Sequence, residues 1–277
     1  MIISMKEMLQ DARARRYGVG MFNTFNLEMA LGVLEAAEAL RAPVILGTAE
    51  ALLDCCDLHL CHSMLSTLAA RVKVPVVLHL DHGFTEKTVK QAIDIGFGSV
   101  MFDQSELPYE ENVSNLKRLA DYAHEKGAAI EGELGHVVFD TTEDTGYAYT
   151  QPEEVSDYVA RTDVDALAIA IGTAHGVYKE KPVLDLERLR AIREITDIGL
   201  VLHGSSGLSD DDFRNLVRDG IQKFNIYTDV SFATSQAAHD WVKGHDRCIE
   251  KVSVRMRAAA KEAAMEKLRL LGCAGKA

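Results

Sequence analysis

The chain is poor in proline, with five among 277 residues, holds a single tryptophan, and is only 6% aromatic. It has no Pro/Ser-rich linker, no low-complexity tract and no abrupt change of composition, which excludes a disordered chain and a string of tethered modules. No apolar stretch approaches the ~18 residues that a membrane-spanning helix needs, so no membrane partner is expected. The opening MIISMKEMLQDARARR lacks an apolar core of about 7–15 residues and a small-residue cleavage site. A secretory signal is therefore not expected, and a cytoplasmic location is. Positive charge is also short: 30 Lys+Arg stand against 42 Asp+Glu, a net charge of −12. That is the wrong sign for a broad nucleic-acid or anionic surface.

Cysteine is too sparse for a disulfide scaffold. There are five, an odd number: Cys55, Cys56, Cys61, Cys248 and Cys273. Three fall in DCCDLHLCH (54–62), where a helix would put Cys55, His59 and His62 at i, i+4 and i+7 on one face, a spacing able to hold a soft metal. No zinc-ribbon spacing pairs with this stretch elsewhere, which favours a plain helix with small buried thiols and histidines at its rim.

What the chain does have is 47% hydrophobic and 26% charged residues, a balance suited to a soluble enzyme. Its length exceeds the ~100–200 residues of a typical domain, leaving two domains or one large α/β barrel. Short apolar runs alternate with stretches of helical period. The runs are 18–23, 43–48, 75–82, 99–103, 129–135, 166–173, 199–205 and 223–229. Between them, 26–41 places Leu27, Ala30, Leu31, Leu34, Ala37 and Leu40 on one face. The stretch 110–127 stops at Lys126 and Gly127, and 152–160 opens with proline and acids. Eight near-continuous apolar strands separated by helices predict a single (β/α)8 TIM barrel over about 17–229, with a helical C-terminal extension over about 230–277. The competing doubly wound sheet lacks its signature, since Gly18 and Gly20 stand at the start of the first strand rather than follow it.

A barrel of this kind gathers function at the C-terminal ends of its strands. Those ends read Asn23, Thr48, HLDHG (79–83), Asp103, ELG (133–135), GTAHG (172–176), HGSSG (203–207) and NIYT (225–228). His82, His175 and His203, on strands 3, 6 and 7, would meet at one mouth beside Asp81 and Asp103. Three neutral imidazoles with an open fourth position suit a catalytic divalent metal, zinc by preference. His79, two residues before Asp81 on the same face, reads as a structural residue of a deeper layer. HGSSG offers backbone N–H groups and hydroxyls that can ring a phosphate or simply form a tight turn. Its place after strand 7, with NIYT after strand 8, favours the phosphate.

These motifs, taken in order, resemble the class II, zinc-dependent ketose-bisphosphate aldolases of the fructose- and tagatose-bisphosphate type. The similarity runs through FNTFNLEM, HLDHG, GSVMFDQSELPYEEN, EGELG, YTQPEEV, DALAIAIGTAHGVYK, LVLHGSSGLSD, GIQKFNIYTD and the C-terminal LGCAGKA. The resemblance implies that His82, His175 and His203 bind catalytic Zn2+ and that Asp81 exchanges the proton of the substrate C4 hydroxyl. Asp103 and Glu133 match acids that contact the metal in an alternative position. Gly176, Gly204, Ser205, Ser206, Asn225, Ile226, Tyr227 and Thr228 match segments that bind dihydroxyacetone phosphate, with a monovalent cation, Na+ or K+, near the two glycines. Asn23 and Thr48 complete the substrate-binding candidates. The family's glutamate on a mobile loop after strand 5 corresponds to Glu143 in TTEDTG, the candidate base for the C3 proton. A homodimer or homotetramer is also implied.

The sequence departs from the family pattern at the loop HVVFDTTEDTG, at Ser205 where glycine is common, at Tyr227, and at Thr48 near a usual serine. These departures leave the aldehyde half unnamed. Tyr227 either faces that aldehyde or packs on the rim. Lys251, Arg255 and Arg257 are candidates for a distal phosphate, of this chain or reaching in from a neighbouring subunit, or form a solvated helix face. The expected reaction is reversible cleavage of a ketose 1-phosphate or 1,6-bisphosphate to dihydroxyacetone phosphate and an aldehyde such as glyceraldehyde 3-phosphate. The alternatives are a non-bisphosphate ketose phosphate with the same mechanism, or a non-catalytic sugar-phosphate-binding barrel. A metal-dependent hydrolase usually carries His-x-His on its first strand, and FNTFN has no histidine.

Overall fold

Apolar runs buried on both faces form the frame of the molecule, and amphipathic helices cover it. The computed structural model describes residues 1–138, 148–176, 178, 180–244 and 247–277. The elements run α1 Met5–Ala14, β1 Val19–Asn23, α2 Leu27–Leu40, β2 Val44–Ala49, α3 Leu58–Ala69, β3 Val76–Gly83 and α4 Glu86–Ile95. They continue β4 Ser99–Phe102, α5 Tyr109–Glu125, β5 Ala129–Leu134, α6 Pro152–Thr162, β6 Ala166–Ile169 and α7 Leu186–Ile195. The chain ends with β7 Gly199–Leu202, α8 Asp210–Asp219, β8 Lys223–Ile226, α9 Thr228–Gly244 and α10 Ile249–Leu270. The eight strands are parallel and close into a barrel in sequence order, β8 pairing back onto β1 with Val19 opposite Lys223. The TIM barrel expected from the eight runs is thus the fold.

Three strands fall short of their apolar runs by three residues or more. β6 stops at Ile169 rather than 173, because Thr150 takes over the hydrogen bonds of Ala170 and Gly172 turns at a φ of 106°. β7 stops at Leu202, and β8 stops at Ile226 so that α9 already begins at Thr228. The helical extension therefore starts two residues earlier than expected, with its N-terminus directly after the strand.

Helix α1, which precedes the first strand, closes the N-terminal end of the barrel. Its buried Met5, Met8, Leu9 and Ala12 have helical spacing, and Ser4 caps it by accepting from the Glu7 N–H. The preceding residues bridge to Val76 at the start of β3, and Leu9 lies against Gly199 at the start of β7. At the outside, α10 packs on α2 across Gly32. A Cβ there would lie 2.7 Å from both the Ala260 Cβ and the Arg257 carbonyl, so only glycine admits this approach.

Along the strands, inward positions alternate with outward ones, and the barrel interior carries two polar tiers. The lower tier holds His79, Ser99, Glu131 and Lys223, each exposed by 1% or less. Two residues further along the same strands stand Asp81, Glu133 and Asn225, nearer the mouth.

Candidate active site

Asp81 and His82 are neighbours in sequence, so in a regular strand their side chains would face opposite ways. The pairing of β3 with β4 shifts between Leu80 and Gly83, and His82 adopts a left-handed φ of 39°. This kink swings His82 back over the mouth, beside Asp81. A left-handed conformation costs a non-glycine residue roughly 1–2 kcal/mol, strain held where the surrounding structure fixes it.

His82, His175 and His203 then converge, each offering a nitrogen within 4.8 Å of the others. His82 Nδ1 lies 2.9 Å from Asp103 Oδ2, and His203 Nε2 lies 3.0 Å from Glu131 Oε1. Each of these contacts to a carboxylate requires an N–H, which leaves His82 Nε2 and His203 Nδ1 facing one another at 2.7 Å. Two facing lone pairs need something positive between them. Burial lowers the basicity of His82, but the adjacent Asp81 and Asp103 outweigh it and push the pKa up to about 9. Burial and the neighbouring His82 hold His203 and His175 below the usual histidine range, in the neutral form a metal requires. Glu133 joins His82 and Asp103 in a second potential ligand group. Its Oε2 is buried with no hydrogen-bond partner, and burial followed by the proximity of Asp103 drives its pKa well up. Convergent imidazoles, oriented by carboxylates and joined by an unsatisfied carboxyl oxygen, fit a divalent cation.

Asp81 is clamped from both sides. Asn23 Nδ2 donates to Oδ2 at 2.7 Å and Asn225 Nδ2 donates to Oδ1 at 2.8 Å. Burial alone would raise its pKa, but His82, His203, Lys223 and His79 together hold it far below the usual carboxylate range. The amide oxygens of both asparagines are buried with no hydrogen-bond partner.

The segments after β6, β7 and β8 lie together. Gly204 has a φ of 64°, and a Cβ there would come within 2.3 Å of the Ala174 carbonyl. The positive φ values of HGSSG fall on Gly204 and Gly207, not on Ser205, so serine at that position costs no strain. Ser205 Oγ instead donates to the Asn225 carbonyl, tying the β7 and β8 ends together. Ser206 is buried, and Gly176 has a φ of 90° with open space where a side chain would sit. Thr228 opens α9.

Some expected residues are not brought to the mouth. Thr48 is in register with Leu80 on the outward face, fully buried, with its hydroxyl 3.9 Å from Cys61 Sγ of α3. The inward positions are Gly47 and Ala49, the latter in register with Asp81. A one-residue offset exchanges the faces of a strand. Ile226 points outward into the apolar core, and the half-buried Tyr227 packs against that core. Arg257 pairs with Glu35 of α2, and the Arg255 guanidinium sits 4.4 Å from the Trp241 ring centre, so both are engaged outside the barrel; Lys251 is exposed on the first turn of α10. Cys55 precedes the Asp57 cap of α3 and does not share its face with His59 and His62; no metal group forms there among the described residues. Glu143 lies outside the described residues.

Glu131 and Lys223 went unnoticed in the sequence. The signal was present: a charged residue two positions before Glu133 and another two before Asn225, inside otherwise apolar strands. His79 does belong to the deeper tier, its Nδ1 2.9 Å from Ser99 Oγ.

A closed parallel barrel whose mouth gathers three histidines and several buried carboxylates is the architecture of a metal-dependent barrel enzyme. Residues 3–276 match the family model of class-II fructose-bisphosphate aldolase, and the chain belongs to that family of metal-dependent aldehyde-lyases. The chain is 38% identical over 284 residues to fructose-bisphosphate aldolase of Staphylococcus aureus, covering 100% of this chain and 99% of the relative. It is 35% identical over 280 residues to the uncharacterized protein YdjI of Escherichia coli (strain K12), covering all of both. The crystal structure of the YdjI aldolase from Escherichia coli K12 is similar along the whole of both chains, with a TM-score of 0.92 at 34% identity.

Proposed function

We propose that this chain is a zinc-dependent aldolase that reversibly cleaves a ketose 1-phosphate or 1,6-bisphosphate of the fructose or tagatose type, giving dihydroxyacetone phosphate and an aldehyde such as glyceraldehyde 3-phosphate. The observation that carries this reading is the ionised Asp81, clamped by two amides directly beside the three converging histidines. His82, His175 and His203 hold the zinc, with Asp103 and Glu133 as the acids of an alternative position. When bound, zinc supplies a Lewis acid for the negative charge that develops on the C2 oxygen as the C3–C4 bond breaks. Asp81 takes the C4 hydroxyl proton in cleavage and returns it to the aldehyde oxygen in condensation. Asn23 and Asn225 fix the plane of that carboxylate, and their unpartnered Oδ1 atoms accept from substrate hydroxyls. Glu143 moves the C3 proton.

The phosphate of the dihydroxyacetone unit is held by Gly176, Gly204, Ser205, Ser206 and the segment Asn225 to Thr228. Support comes from the two left-handed glycines, the open space at Gly176, and the N-terminus of α9, whose orphan N–H groups favour an anion. Na+ or K+ sits near Gly176 and Gly204. The working form is a homodimer or homotetramer in the cytoplasm.

A second reading, a non-bisphosphate ketose phosphate with the same mechanism, is favoured by one observation. Two of the three cations considered for a distal phosphate, Arg255 and Arg257, are engaged on the outer helices of this chain. The test is cleavage of a panel of ketose 1-phosphates and 1,6-bisphosphates by the metal-stripped and zinc-restored protein, compared by kcat/KM. Activity that is lost with zinc and regained with it is expected. Activity indifferent to a strong chelator, or no cleavage of any ketose phosphate, refutes the proposal.

A further inference from the structure

The interior of a (β/α)8 barrel is ordinarily filled by tiers of branched apolar side chains. Here the tier beneath the mouth contains an ammonium and a carboxylate, Lys223 and Glu131, exposed by 0% and 1%. Taking two such charges out of water costs several kcal/mol each, and a well-packed apolar pair in the same place is often as stable or more so. Stability alone therefore does not account for them.

Their geometry does. Lys223 Nζ lies 2.8 Å from Glu131 Oε2, while the other oxygen, Oε1, receives His203 Nε2 at 3.0 Å. The carboxylate is held at one end by β8 and spends its other end on an imidazole of β7. Lys223 also lies 3.3 Å from His79 Nε2, whose Nδ1 contacts Ser99 at 2.9 Å. An ammonium only donates, so His79 Nε2 is the acceptor and its proton sits on Nδ1, toward Ser99. Strands β3, β4, β5, β7 and β8 thus meet in one hydrogen-bonded chain that ends on a histidine of the mouth.

We infer that Lys223 and Glu131 are positioning residues for the metal centre: Lys223 anchors Glu131, and Glu131 fixes the ring plane and tautomer of His203 so that Nδ1 faces the site. This inference rests on the reading of His82, His175 and His203 as the zinc ligands. An imidazole that donates its distal N–H to an anchored carboxylate is pre-set for coordination, and loss of such a partner typically weakens metal binding about 10–100-fold.

The test measures zinc affinity of the purified full-length protein by competition with a chromophoric chelator, with no substrate present. Lys223→Met is expected to bind zinc at least ~10-fold more weakly than wild type. Two double variants separate positioning from packing, since both remove the ion pair and both deprive His79 of the same donor. Lys223→Met/Glu131→Gln keeps an amide oxygen for the His203 N–H, and its NH2 replaces Oε2, which lies 4.0 Å from the His79 Nε2 acceptor, so that it regains an anchor; it is expected to bind within about threefold of wild type. Lys223→Met/Glu131→Leu fills the space without an acceptor and is expected to bind at least ~10-fold more weakly. The cobalt(II)-loaded proteins report the same division in their visible ligand-field spectra, unchanged for the Gln variant and altered for the Leu variant. Equal zinc affinity in the two doubles overturns the inference, and so does wild-type affinity in Lys223→Met. If Lys223→Met fails to fold, the comparison of the doubles still decides. Wild-type protein whose zinc uptake is indifferent to His82→Ala or His203→Ala overturns the reading of the ligands instead, and this inference with it.

Discussion

Replacing Asp81 by asparagine removes a proton acceptor while leaving nearly every atom in place. In the native site both Asp81 oxygens receive an amide, from Asn23 at 2.7 Å and from Asn225 at 2.8 Å. An asparagine at 81 must turn its NH2 toward one of those donors, a direct conflict. The conflict has a local remedy: Asn23 and Asn225 each hold an unpartnered buried Oδ1, so one of them can flip and accept instead. The variant keeps both contacts and the fold. What it loses is charge-assisted hydrogen bonding, about 1.5–3 kcal/mol per bond against about 0.5–1.5 for neutral partners, offset by no longer burying a carboxylate. A change in Tm of only a few degrees is expected, at about 2–4 °C per kcal/mol for a large domain. Turnover is another matter. General acid–base catalysis contributes about 10²–10⁴ in rate, so Asp81→Asn should lower kcat for ketose-phosphate cleavage by that factor, about 3–5 kcal/mol of transition-state stabilisation. Zinc content should remain at the wild-type ratio, as it should in Asp81→Ala. The assay pairs retro-aldol kinetics with metal analysis of the same preparation. A kcat within tenfold of wild type, or a loss of zinc that tracks the loss of rate, refutes the assignment of Asp81 as the proton-transfer residue.

Other consequences are open to direct measurement. Gly204→Ala forces a Cβ to within 2.3 Å of the Ala174 carbonyl at a positive φ, displacing the phosphate segment; KM for a ketose 1-phosphate should rise at least ~10-fold, and an unchanged KM would count against that segment. Zinc at about 100 times its Kd should stabilise the metal-free protein by about 2.7 kcal/mol, seen as a Tm higher by roughly 5–10 °C; His203→Ala should abolish the shift. Glu86, hydrogen-bonded to Arg118 and Lys90, has its pKa lowered from the ordinary 4.5 to about 2. A depressed carboxylate contributes stability above its unfolded pKa and loses it as pH falls through the folded one. The Tm gap between wild type and Glu86→Gln, both metal-free, should therefore be present at pH 6 and vanish toward pH 2. It should correspond to about 1 kcal/mol or less, because the pair is partly exposed.

How much of this was legible beforehand differs from residue to residue. Eight apolar runs, Gly127 after a helix and Pro152 at the start of another are local signals, and they appear in the structure where the patterning put them. His82, His175 and His203 could be placed at one mouth because each lies at or past the C-terminal end of a strand in a parallel barrel, where connectivity alone carries every strand end to the same side. Helix α1 had equally good helical spacing, but its significance lies in what it covers, the opening between the starts of β3 and β7. Glu143, in the loop that departs most from the family pattern, stays an assignment by resemblance.

Composition, periodicity and motif order by themselves determined the barrel, its family and the residue types at the strand ends, because these follow from short-range chemistry written along the chain. Only the tertiary structure decided which way those residues face. Thr48 stands one position off the inward register and meets Cys61, whereas His82, which alternation would turn outward, is returned to the site by a shifted register and a left-handed φ. Lys223 and Glu131 are charged residues in apolar strands until β5, β7 and β8 close around them and place both in contact with one another and Glu131 against His203. The physical reason is that a side chain's face and its partners depend on strand register and barrel closure, which are long-range quantities that no local run of residues contains.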